Sequence, residues 1–536
     1  MVANSNWEVG PGYRVVPEII NIFSETVDRH VEEGRGDAIA VVSMERHVTF
    51  RELQAEASAV AAALRGFAVS KGDRVLVISR NTLAAVTTIL AALKIGAVPV
   101  LANSMLPANE IDYVLEDCGA SVAFAAGSAV NILRQFAQDG RITRLIVLDG
   151  PVNSEGEDYS VLVSGGGRVP TVATSASDPA FMVYSSGTTG RPKGIVHGHK
   201  WIVTVGDPNV LQMDFNPTDI VSTVGEISFM GNFGHAFIFP LYAGSAIALF
   251  AEKVTPSAVL EFFRVLKPTI FLSVPTFYRM MLAEENFTAA LRLLPFRFMV
   301  STGEVLGESV WNRWHDETGV KIYEIYGVSE FQTLLSNGPD LPLKPGSLGK
   351  PAPGVKVALL DQSLNEVPNG TPGVLMVHRS DPGLFLEYYQ DPDRWRQQHR
   401  GEWYYTGDVM QVDEDGYYFY LGRQDDLFKS RGYLISPQEI ENVLQRHPGV
   451  AEVAVVGHPD ALTGNAIVAY VVLDASQAPS EALKEEILAF VSQLIAQYKM
   501  PKVLNFVGEI PKSPVGKILR RALRGGPQEN NTEPAA

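Results

Sequence analysis

The residues best suited to chemistry form a run rich in glycine, hydroxyl groups and lysine at 184–194. The run reads YSSGTTGRPKG and follows an apolar stretch, 181–184, that is typical of a strand. Glycines let backbone N–H groups approach an anion closely, hydroxyls add hydrogen-bond donors, and lysine adds positive charge. The run lacks the Gly-x-x-x-x-Gly-Lys-Ser/Thr pattern of the P-loop. It predicts a phosphate-binding loop of another kind, with a flexible polar turn as the alternative.

Four later segments combine carboxylates, glycines and basic residues. They read YGVSE at 326–330, YTGD at 405–408, GRQDD at 422–426 and PKSPVGKILR at 511–520. Glu330 is an oxygen ligand suited to Mg²⁺ held between a carboxylate and a phosphate. Asp408 could accept hydrogen bonds from both hydroxyls of a ribose. Taken alone, each is an ordinary surface or turn residue.

In this order and spacing, the segments resemble the motifs of the adenylate-forming superfamily. That superfamily contains acyl- and aryl-CoA ligases, adenylation domains and luciferases, and the resemblance covers nearly the whole chain. Residues near 239–241 are similar to the benzoate-CoA ligase branch. The resemblance implies an ATP-dependent ligase that forms an acyl-adenylate and then passes the acyl group to a thiol. The implied cofactors are ATP, Mg²⁺ and coenzyme A.

The resemblance also implies roles for individual residues. Lys517 would bridge the carboxylate and the α-phosphate, with Glu330 as metal ligand and Ser329, where the family usually has threonine, as a phosphate contact. The implied nucleotide-binding residues are Ser185, Ser186, Gly187, Thr188, Thr189, Lys193, Gly303, Glu304, Glu324, Tyr326, Gly327, Asp408 and Arg423. The implied hinge of a small mobile domain is Asp425, and the residues implied to face coenzyme A are Lys429, Arg431 and Gly432.

The acyl pocket is expected near 226–235, which reads EISFMGNFGH. Two glycines and two phenylalanines indicate a flat, compact apolar slot, although ordinary helix packing would explain the same residues. The segment lacks the aspartate with which amino-acid adenylation domains hold the α-amine. The predicted substrate-binding residues are Phe229, Met230, Gly231, Phe233, Gly234, His235, Phe277 and Val328. A benzoate-like acid, such as benzoate or an aminobenzoate, is favoured, with medium-chain fatty acids as an alternative.

The histidines near the predicted site do not form the pattern of a metal site. His197 and His199 flank a glycine, but two histidines without a third ligand make a poor metal site, so a structural role is favoured. His235 could touch the substrate or a helix neighbour, and packing is the more common role of a single histidine.

The elements that must position these residues alternate between strand and helix up to about residue 330. Strands are predicted at 74–78, 97–101, 269–274 and 298–301, and Thr49 and Glu52 have the spacing of a helix capping box. This alternation predicts an α/β fold with helix-flanked parallel sheets. The predicted domains are an N-terminal adenylation domain at 1–424 with a β-rich subdomain from about 346, a small α+β domain at 425–524 and a disordered tail at 525–536.

Composition limits the classes of partner and compartment. The chain has 536 residues, a net charge of −16 and a single cysteine, Cys118. A strongly acidic chain repels polyanions, so neither nucleic acid nor an anionic membrane is an expected partner. No disulfide can form within the chain, and neither a signal peptide nor a membrane span is evident, so a cytoplasmic location is predicted. The expected partners are a small aromatic or cyclic carboxylic acid and coenzyme A, and a homodimer is left open.

Three alternatives to a CoA ligase remain. An adenylation enzyme could load an aryl or fatty acid onto the pantetheine of a carrier protein. A luciferase-like oxygenase would share the same motifs. A nucleotide-binding sensor could retain only the fold, but the presence of Lys517, Glu330 and Asp408 argues against such a loss of activity.

Overall fold

The computed structural model describes residues 14–150, 156–186, 192–460, 462–474, 476–512 and 518–524. The chain divides into two compact units, one of residues 1–357 and 377–404 and the other of residues 358–376 and 405–536. The predicted site residues Gly187, Thr188, Thr189 and Lys517 and the predicted tail lie outside the described residues. The expected domain boundary at 424/425 stays a prediction.

The strands lie along the whole described chain. In chain order they are β1 (Ile39–Val42), β2 (His47–Thr49), β3 (Arg74–Ile78), β4 (Val98–Ala102), β5 (Val122–Ala125), β6 (Arg144–Val147), β7 (Glu157–Asp158), β8 (Pro179–Ser186), β9 (Pro192–Gly198), β10 (Ile220–Thr223), β11 (Ala246–Leu249), β12 (Ile270–Ser273), β13 (Phe298–Ser301), β14 (Ile322–Tyr326), β15 (Leu335–Ser336) and β16 (Lys350–Pro351). They continue with β17 (Val357–Leu360), β18 (Gly373–His378), β19 (Glu387–Tyr388), β20 (His399–Arg400), β21 (Trp403–Val412), β22 (Tyr418–Arg423), β23 (Phe428–Ser430), β24 (Tyr433–Ile435), β25 (Val450–Asp460), β26 (Gly464–Leu473) and β27 (Val503–Phe506).

Helices alternate with the strands in the larger unit. The α-helices are α1 (Arg29–Glu32), α2 (Phe50–Gly66), α3 (Leu83–Lys94), α4 (Ala108–Cys118), α5 (Ser128–Gln138), α6 (Tyr159–Ser164), α7 (Trp201–Thr204), α8 (Gly206–Gln212), α9 (Met230–Phe233), α10 (Phe239–Ala243), α11 (Pro256–Leu266), α12 (Pro275–Ala283), α13 (Phe287–Leu291), α14 (Glu308–Thr318), α15 (Pro392–Gln398), α16 (Pro437–Leu444), α17 (Glu481–Ser492) and α18 (Arg520–Leu523). Two π-helical turns, Ser24–Asp28 and Gly234–Ile238, and one 3₁₀ turn, Gln497–Lys499, complete the described set.

Two largely parallel sheets form the larger unit. One has the strand order β16-β15-β14-β13-β12-β10-β11-β1-β2 and is parallel from β14 to β1. The other has the order β19-β9-β8-β4-β3-β5-β6-β7, in which β8 and β9 form an antiparallel hairpin. The predicted α/β fold with helix-flanked sheets is confirmed.

Local capping fixes the start of the first long helix. Thr49 Oγ1 accepts a hydrogen bond from the Glu52 N–H at 3.2 Å, and the Glu52 carboxylate accepts one from the Thr49 N–H at 2.8 Å. Such a cap contributes about 1 kcal/mol to helix stability. The predicted capping box is therefore confirmed.

Among the described residues, the smaller unit contains three sheets and its own apolar core. The neighbouring strands β17, β18, β21 and β22 belong to the first sheet, β23 and β24 form the second, and β25, β26 and β27 form the third. Ser436 followed by Pro437 and Glu439 predicts the start of a helix. Helix α16 begins there, with Ser436 Oγ accepting a hydrogen bond from the Glu439 N–H at 3.2 Å.

The spacing of Leu483, Ile487, Phe490 and Leu494 predicts that all four lie on one buried helix face. Helix α17 ends at Ser492, so Leu494 lies beyond the helix and is 46% exposed. Within the described residues, no helix has the length and apolarity needed to cross a bilayer.

Candidate active site

Several segments that carry predicted nucleotide- or acid-binding residues begin at the same edge of a parallel sheet. Strands β10, β12, β13 and β14 run in one direction, so the residues that follow them meet at the carboxyl edge of the sheet. Those residues are 224–235, 274–277, 302–304 and 327–332. Because ligands of open parallel sheets bind at this edge, the fold gathers most of the predicted contacts of the larger unit in one region.

A buried ion pair between Lys193 and Glu330 lies in this unit. Lys193 Nζ is 2.6 Å from Glu330 Oε1, and the Tyr388 hydroxyl donates to the same oxygen at 2.7 Å. The Tyr404 hydroxyl lies 2.9 Å from that of Tyr388. Burial alone would raise the pKa of Glu330, but the Lys193 charge and the hydrogen bonds lower it below the ordinary value. The Glu330 carboxylate is therefore ionised at neutral pH, although the residue is only 5% exposed.

This carboxylate suits the magnesium ion that the motif implies. Mg²⁺ favours oxygen ligands and commonly binds one or two carboxylates together with substrate phosphates. Lys193, whose Nζ pairs with Glu330 Oε1, carries a positive charge that also suits a phosphate. Ser185 pairs with Lys193 in the β8–β9 ladder, so the described part of the phosphate loop begins beside this ion pair.

The loop that carries Glu330, the predicted metal ligand, is held by hydrogen bonds to its main chain. The Val328 carbonyl accepts a hydrogen bond from the Gln332 N–H at 2.7 Å. His197 Nε2 lies 2.8 Å from the Ser329 carbonyl oxygen. Burial lowers the pKa of His197 to about 4, so a neutral ring donates this hydrogen bond. His197 thus has the structural role that the sequence favours.

Glycine is required at the start of this loop. Gly327 follows Tyr326, the half-buried last residue of β14. A Cβ at Gly327 would lie 1.3 Å from the carbonyl oxygen of Gln332. The close approach of these two backbone segments therefore excludes any side chain.

Three predicted nucleotide-binding residues, Gly303, Glu304 and Glu324, lie shortly after β13 and within β14. Gly303 has a φ of +90°, which favours glycine, and Glu304 Oε2 lies 3.5 Å from Thr276 Oγ1. Glu324 Oε1 accepts a hydrogen bond from the Leu306 N–H at 2.8 Å. Burial raises the pKa of Glu324 to about 7. A large fraction of the Glu324 carboxyl groups is therefore protonated at neutral pH.

The predicted acyl segment is the short helix α9 and the π-helical turn after it. Phe229 is half-buried, and a Cβ at Gly231 would meet its ring and the Thr302 methyl group at 3.4 Å. Gly234 is more restricted, because a Cβ there would lie 1.7 Å from Gln332 Nε2. Gly234 thus leaves space for the side chain of Gln332, which lies in the loop after β14.

Other predicted pocket residues pack into the apolar interior. Phe233 is fully buried, with its ring 4.5 Å from that of Phe181. Phe277 is buried with its ring 6.1 Å from that of Phe271, and Met230 is also buried. These contacts and this burial agree with helix packing, the alternative to ligand binding, and the substrate-binding role of the three residues stays a prediction.

Two further histidines bind protein groups. His235 Nε2 lies 2.9 Å from Asn209 Oδ1, and His235 Nδ1 lies 3.1 Å from Gln332 Nε2. His199 Nδ1 accepts a hydrogen bond from the Ile22 N–H at 3.2 Å. Burial lowers the pKa of both rings, to about 4 for His235 and about 3 for His199. Both rings are therefore neutral at physiological pH.

In the smaller unit, Asp408 and Arg423 form one cluster. Arg423 Nη1 donates to Asp408 Oδ2 at 2.9 Å and to the Thr406 carbonyl at 3.1 Å. The Tyr420 hydroxyl donates to Asp408 Oδ1 at 3.0 Å. Two predicted nucleotide contacts are thus brought together, with the carboxylate held in one orientation.

The expected hinge and coenzyme A residues also lie in the smaller unit. The Asp425 carbonyl accepts a hydrogen bond from Arg524 Nη2 at 3.0 Å. Lys429 lies in β23, and Arg431 and Gly432 connect β23 to β24 with φ angles of +53° and +85°. Two positive φ angles in succession are typical of the type I′ turn that fits a tight hairpin. Among the described residues, no atom lies within 4 Å of a Cβ placed at Gly432, so backbone conformation rather than crowding favours glycine.

Two family models match this chain. One, described as AMP-binding enzyme, matches residues 27–389, and the other, AMP-binding enzyme C-terminal domain, matches residues 439–517. The chain belongs to the AMP-binding enzyme family.

Similar proteins match this AMP-binding enzyme over nearly its whole length. Benzoate–CoA ligase of Thauera aromatica is 33% identical over 95% of this chain and 96% of the relative. The 4-hydroxybenzoate–CoA/benzoate–CoA ligase of Rhodopseudomonas palustris is 30% identical over 96% of both chains. The crystal structure of the anthranilate CoA ligase AuaEII in complex with anthranoyl-AMP superimposes with a TM-score of 0.89 at 32% identity, covering 95% of this chain and 97% of the other. This AMP-binding enzyme is an AMP-forming acid–thiol ligase.

Sequence reasoning missed the side chains that hold the two carboxylates of this AMP-binding enzyme. Tyr388 and Tyr404 lie at Glu330, and Tyr420 lies at Asp408. Tyrosine is common in strands, so no sequence signal distinguishes these three from ordinary strand residues. Gln332 was also missed, and its only signal is its position shortly after Glu330.

Proposed function

We propose that this chain is an ATP- and Mg²⁺-dependent aryl-CoA ligase that acts on a benzoate-like aromatic acid such as benzoate or an aminobenzoate. The observation that carries the proposal is the full-length similarity to ligases named for benzoate, hydroxybenzoates and anthranilate. The acyl segment agrees with a flat ring, since Gly231 places no side chain beside the ring of Phe229.

In the proposed first step, a carboxylate oxygen of the acid attacks the α-phosphorus of ATP. The bond to pyrophosphate breaks, and an acyl-adenylate forms. Lys193 and Glu330 would bind the phosphates, Glu330 through a magnesium ion that neutralises phosphate charge. Asp408 would accept hydrogen bonds from the ribose hydroxyls, and Lys517 would stabilise the charge shared by carboxylate and phosphate.

In the proposed second step, the thiol of coenzyme A gives up its proton and attacks the acyl carbon. The bond to AMP breaks, and the thioester forms. Lys429, Arg431 and Gly432 would face coenzyme A after a movement about Asp425. The cytoplasmic location and the homodimer remain predictions.

The test is release of AMP and pyrophosphate with ATP, Mg²⁺ and a panel of acids, each with and without coenzyme A. The panel contains benzoate, aminobenzoates, hydroxybenzoates, cyclic aliphatic acids and straight-chain acids. We expect AMP release that requires coenzyme A and is fastest with a ring acid. Pyrophosphate release without coenzyme A-dependent AMP would point to a carrier protein as acceptor. A preference for straight-chain acids would reject the aromatic substrate.

A further inference from the structure

Gln332 holds an unpaired side-chain oxygen beside the acyl segment. The residue is 6% exposed, and its Oε1 atom has no hydrogen-bond partner among the residues that the structure describes. Nearly all buried polar atoms in native proteins are hydrogen-bonded, because an unpaired one is costly. The oxygen therefore calls for a partner.

A chain of hydrogen bonds determines which end of the Gln332 amide is the oxygen. Asn209 Nδ2 donates to the Val205 carbonyl at 2.7 Å, so Asn209 Oδ1 is the acceptor that faces His235 Nε2 at 2.9 Å. A neutral imidazole that donates a hydrogen bond from Nε2 accepts one at Nδ1. The group that faces His235 Nδ1 is Gln332 Nε2, at 3.1 Å. Turning the amide around would set its oxygen against the lone pair of Nδ1. Oε1 is thus the atom that is left over.

The position of this oxygen connects it to the acid. A Cβ at Gly234 would lie 1.7 Å from Gln332 Nε2 and 2.6 Å from Oε1, so the amide packs directly against a glycine of the acyl segment. Glu330, the proposed metal ligand, precedes Gln332 by two residues in the same loop. Gln332 also has a φ of +98°, which non-glycine residues rarely adopt and which clusters at functional sites.

We propose that Gln332 is a specificity-determining residue whose Oε1 accepts a hydrogen bond from an amino or hydroxyl group on the ring of the acid. This inference rests on the proposed aryl-CoA ligase function and narrows its substrate class. An unsubstituted benzoate leaves the oxygen unpaired, whereas an aminobenzoate or hydroxybenzoate satisfies it. Sites built to hydrogen-bond a substrate group discriminate strongly against analogues that lack it.

The test compares acids of equal size that differ in the donor. Each of the three aminobenzoate isomers is paired with the methylbenzoate that carries its methyl group at the same ring position. Coenzyme A-dependent AMP release gives kcat/KM for the unmodified enzyme, Gln332→Met and Gln332→Glu. Met has a similar length without an acceptor, and Glu retains oxygen acceptors. Circular dichroism and melting temperature show whether each variant folds.

We expect the unmodified enzyme to favour the amino over the methyl acid by about tenfold to a hundredfold at one ring position. Gln332→Met should bring this ratio close to one, and Gln332→Glu should keep it above one. Equal kcat/KM values for the amino and methyl acids at every ring position would overturn this inference but not the proposed function. That outcome is decisive even if Gln332→Met does not fold. A ratio that survives Gln332→Met also overturns the inference. Absence of AMP release with every ring acid overturns both the inference and the proposed function.

Discussion

Lys193 and Glu330 form an ion pair with an Nζ–Oε1 distance of 2.6 Å, although 137 residues separate them along the chain. The pair explains how a buried carboxylate remains charged, because the lysine offsets the cost of burying Glu330. If each residue binds nucleotide phosphate, directly or through a metal ion, each holds the other in place before the nucleotide arrives.

Replacing the lysine should shift the pH dependence of adenylate formation. In Lys193→Met, the positive charge that lowers the pKa of Glu330 is absent, so burial raises that pKa. We expect acid-dependent pyrophosphate exchange to fall by about a hundredfold or more at neutral pH. In the pH–rate profile of the remaining activity, the acidic limb should move to higher pH, because under the proposed function Glu330 must lose its proton to bind Mg²⁺.

The matched control for the lysine is Lys193→Arg. Arginine retains the charge, so the acidic limb should stay near its original pH even if the rate falls. An acidic limb at the same pH in Lys193→Met and the unmodified enzyme would show that the ion pair does not set the charge state of Glu330.

The Asp408 carboxylate should contribute to the binding of ATP rather than to the binding of the acid. Asp408→Asn removes the charge that makes its hydrogen bonds strong, and we expect the KM for ATP to rise about tenfold or more. The KM for the acid should change little. Steady-state kinetics with each substrate varied in turn measures both constants. Tyr420→Phe, which removes the 3.0 Å hydrogen bond to Asp408 but leaves the carboxylate in place, should have a smaller effect. A larger rise in the KM for the acid than in the KM for ATP would contradict the assignment.

Local patterns predicted the elements well. The strand at 298–301 and the capping box at Thr49 and Glu52 were predicted residue by residue, because burial patterns and caps depend on near neighbours in sequence. The α/β fold followed from the alternation of such elements. The end of α17 was predicted less well, since nothing in the sequence around Leu494 shows where an apolar helical pattern loses its core partners.

The sequence predicted the motifs of the candidate site one by one, but not the contacts between them. Lys193 and Glu330 were each assigned to the nucleotide, and their mutual contact depends on how two sheets meet, which no local pattern encodes. The hydrogen bonds of His235 to Asn209 and Gln332 join three segments distant in sequence. Contacts of this kind arise from tertiary packing and leave no signal in a single sequence.

Glu324 should make stability depend on pH. Its folded pKa of about 7 lies above the ordinary value of 4.5 because the carboxyl is buried. The unfolded chain therefore releases this proton first as pH rises through 4.5, and the folded chain loses up to about 3 kcal/mol of stability by pH 7. Glu324→Gln cannot titrate.

We therefore expect the melting temperature of Glu324→Gln, relative to the unmodified enzyme, to increase between pH 5 and pH 8. Differential scanning fluorimetry in matched buffers measures this difference. Glu387→Gln, at an exposed strand position, provides the control. A constant difference across the pH range would mean that the Glu324 carboxyl is already ionised in the folded chain at pH 5.

Gly432 should matter for the thioester step in two separable ways. Gly432→Ala forces a Cβ into a φ of +85° and should cost about 1–2 kcal/mol of stability. It should also slow the reaction of coenzyme A with a preformed acyl-adenylate, if the pantetheine passes this turn. Asparagine tolerates positive φ, so Gly432→Asn should recover much of the melting temperature. Because asparagine still adds a side chain, its thioester step should stay slow in stopped-flow measurements. Recovery of both properties by asparagine would mean that turn conformation, rather than space for pantetheine, is what glycine provides.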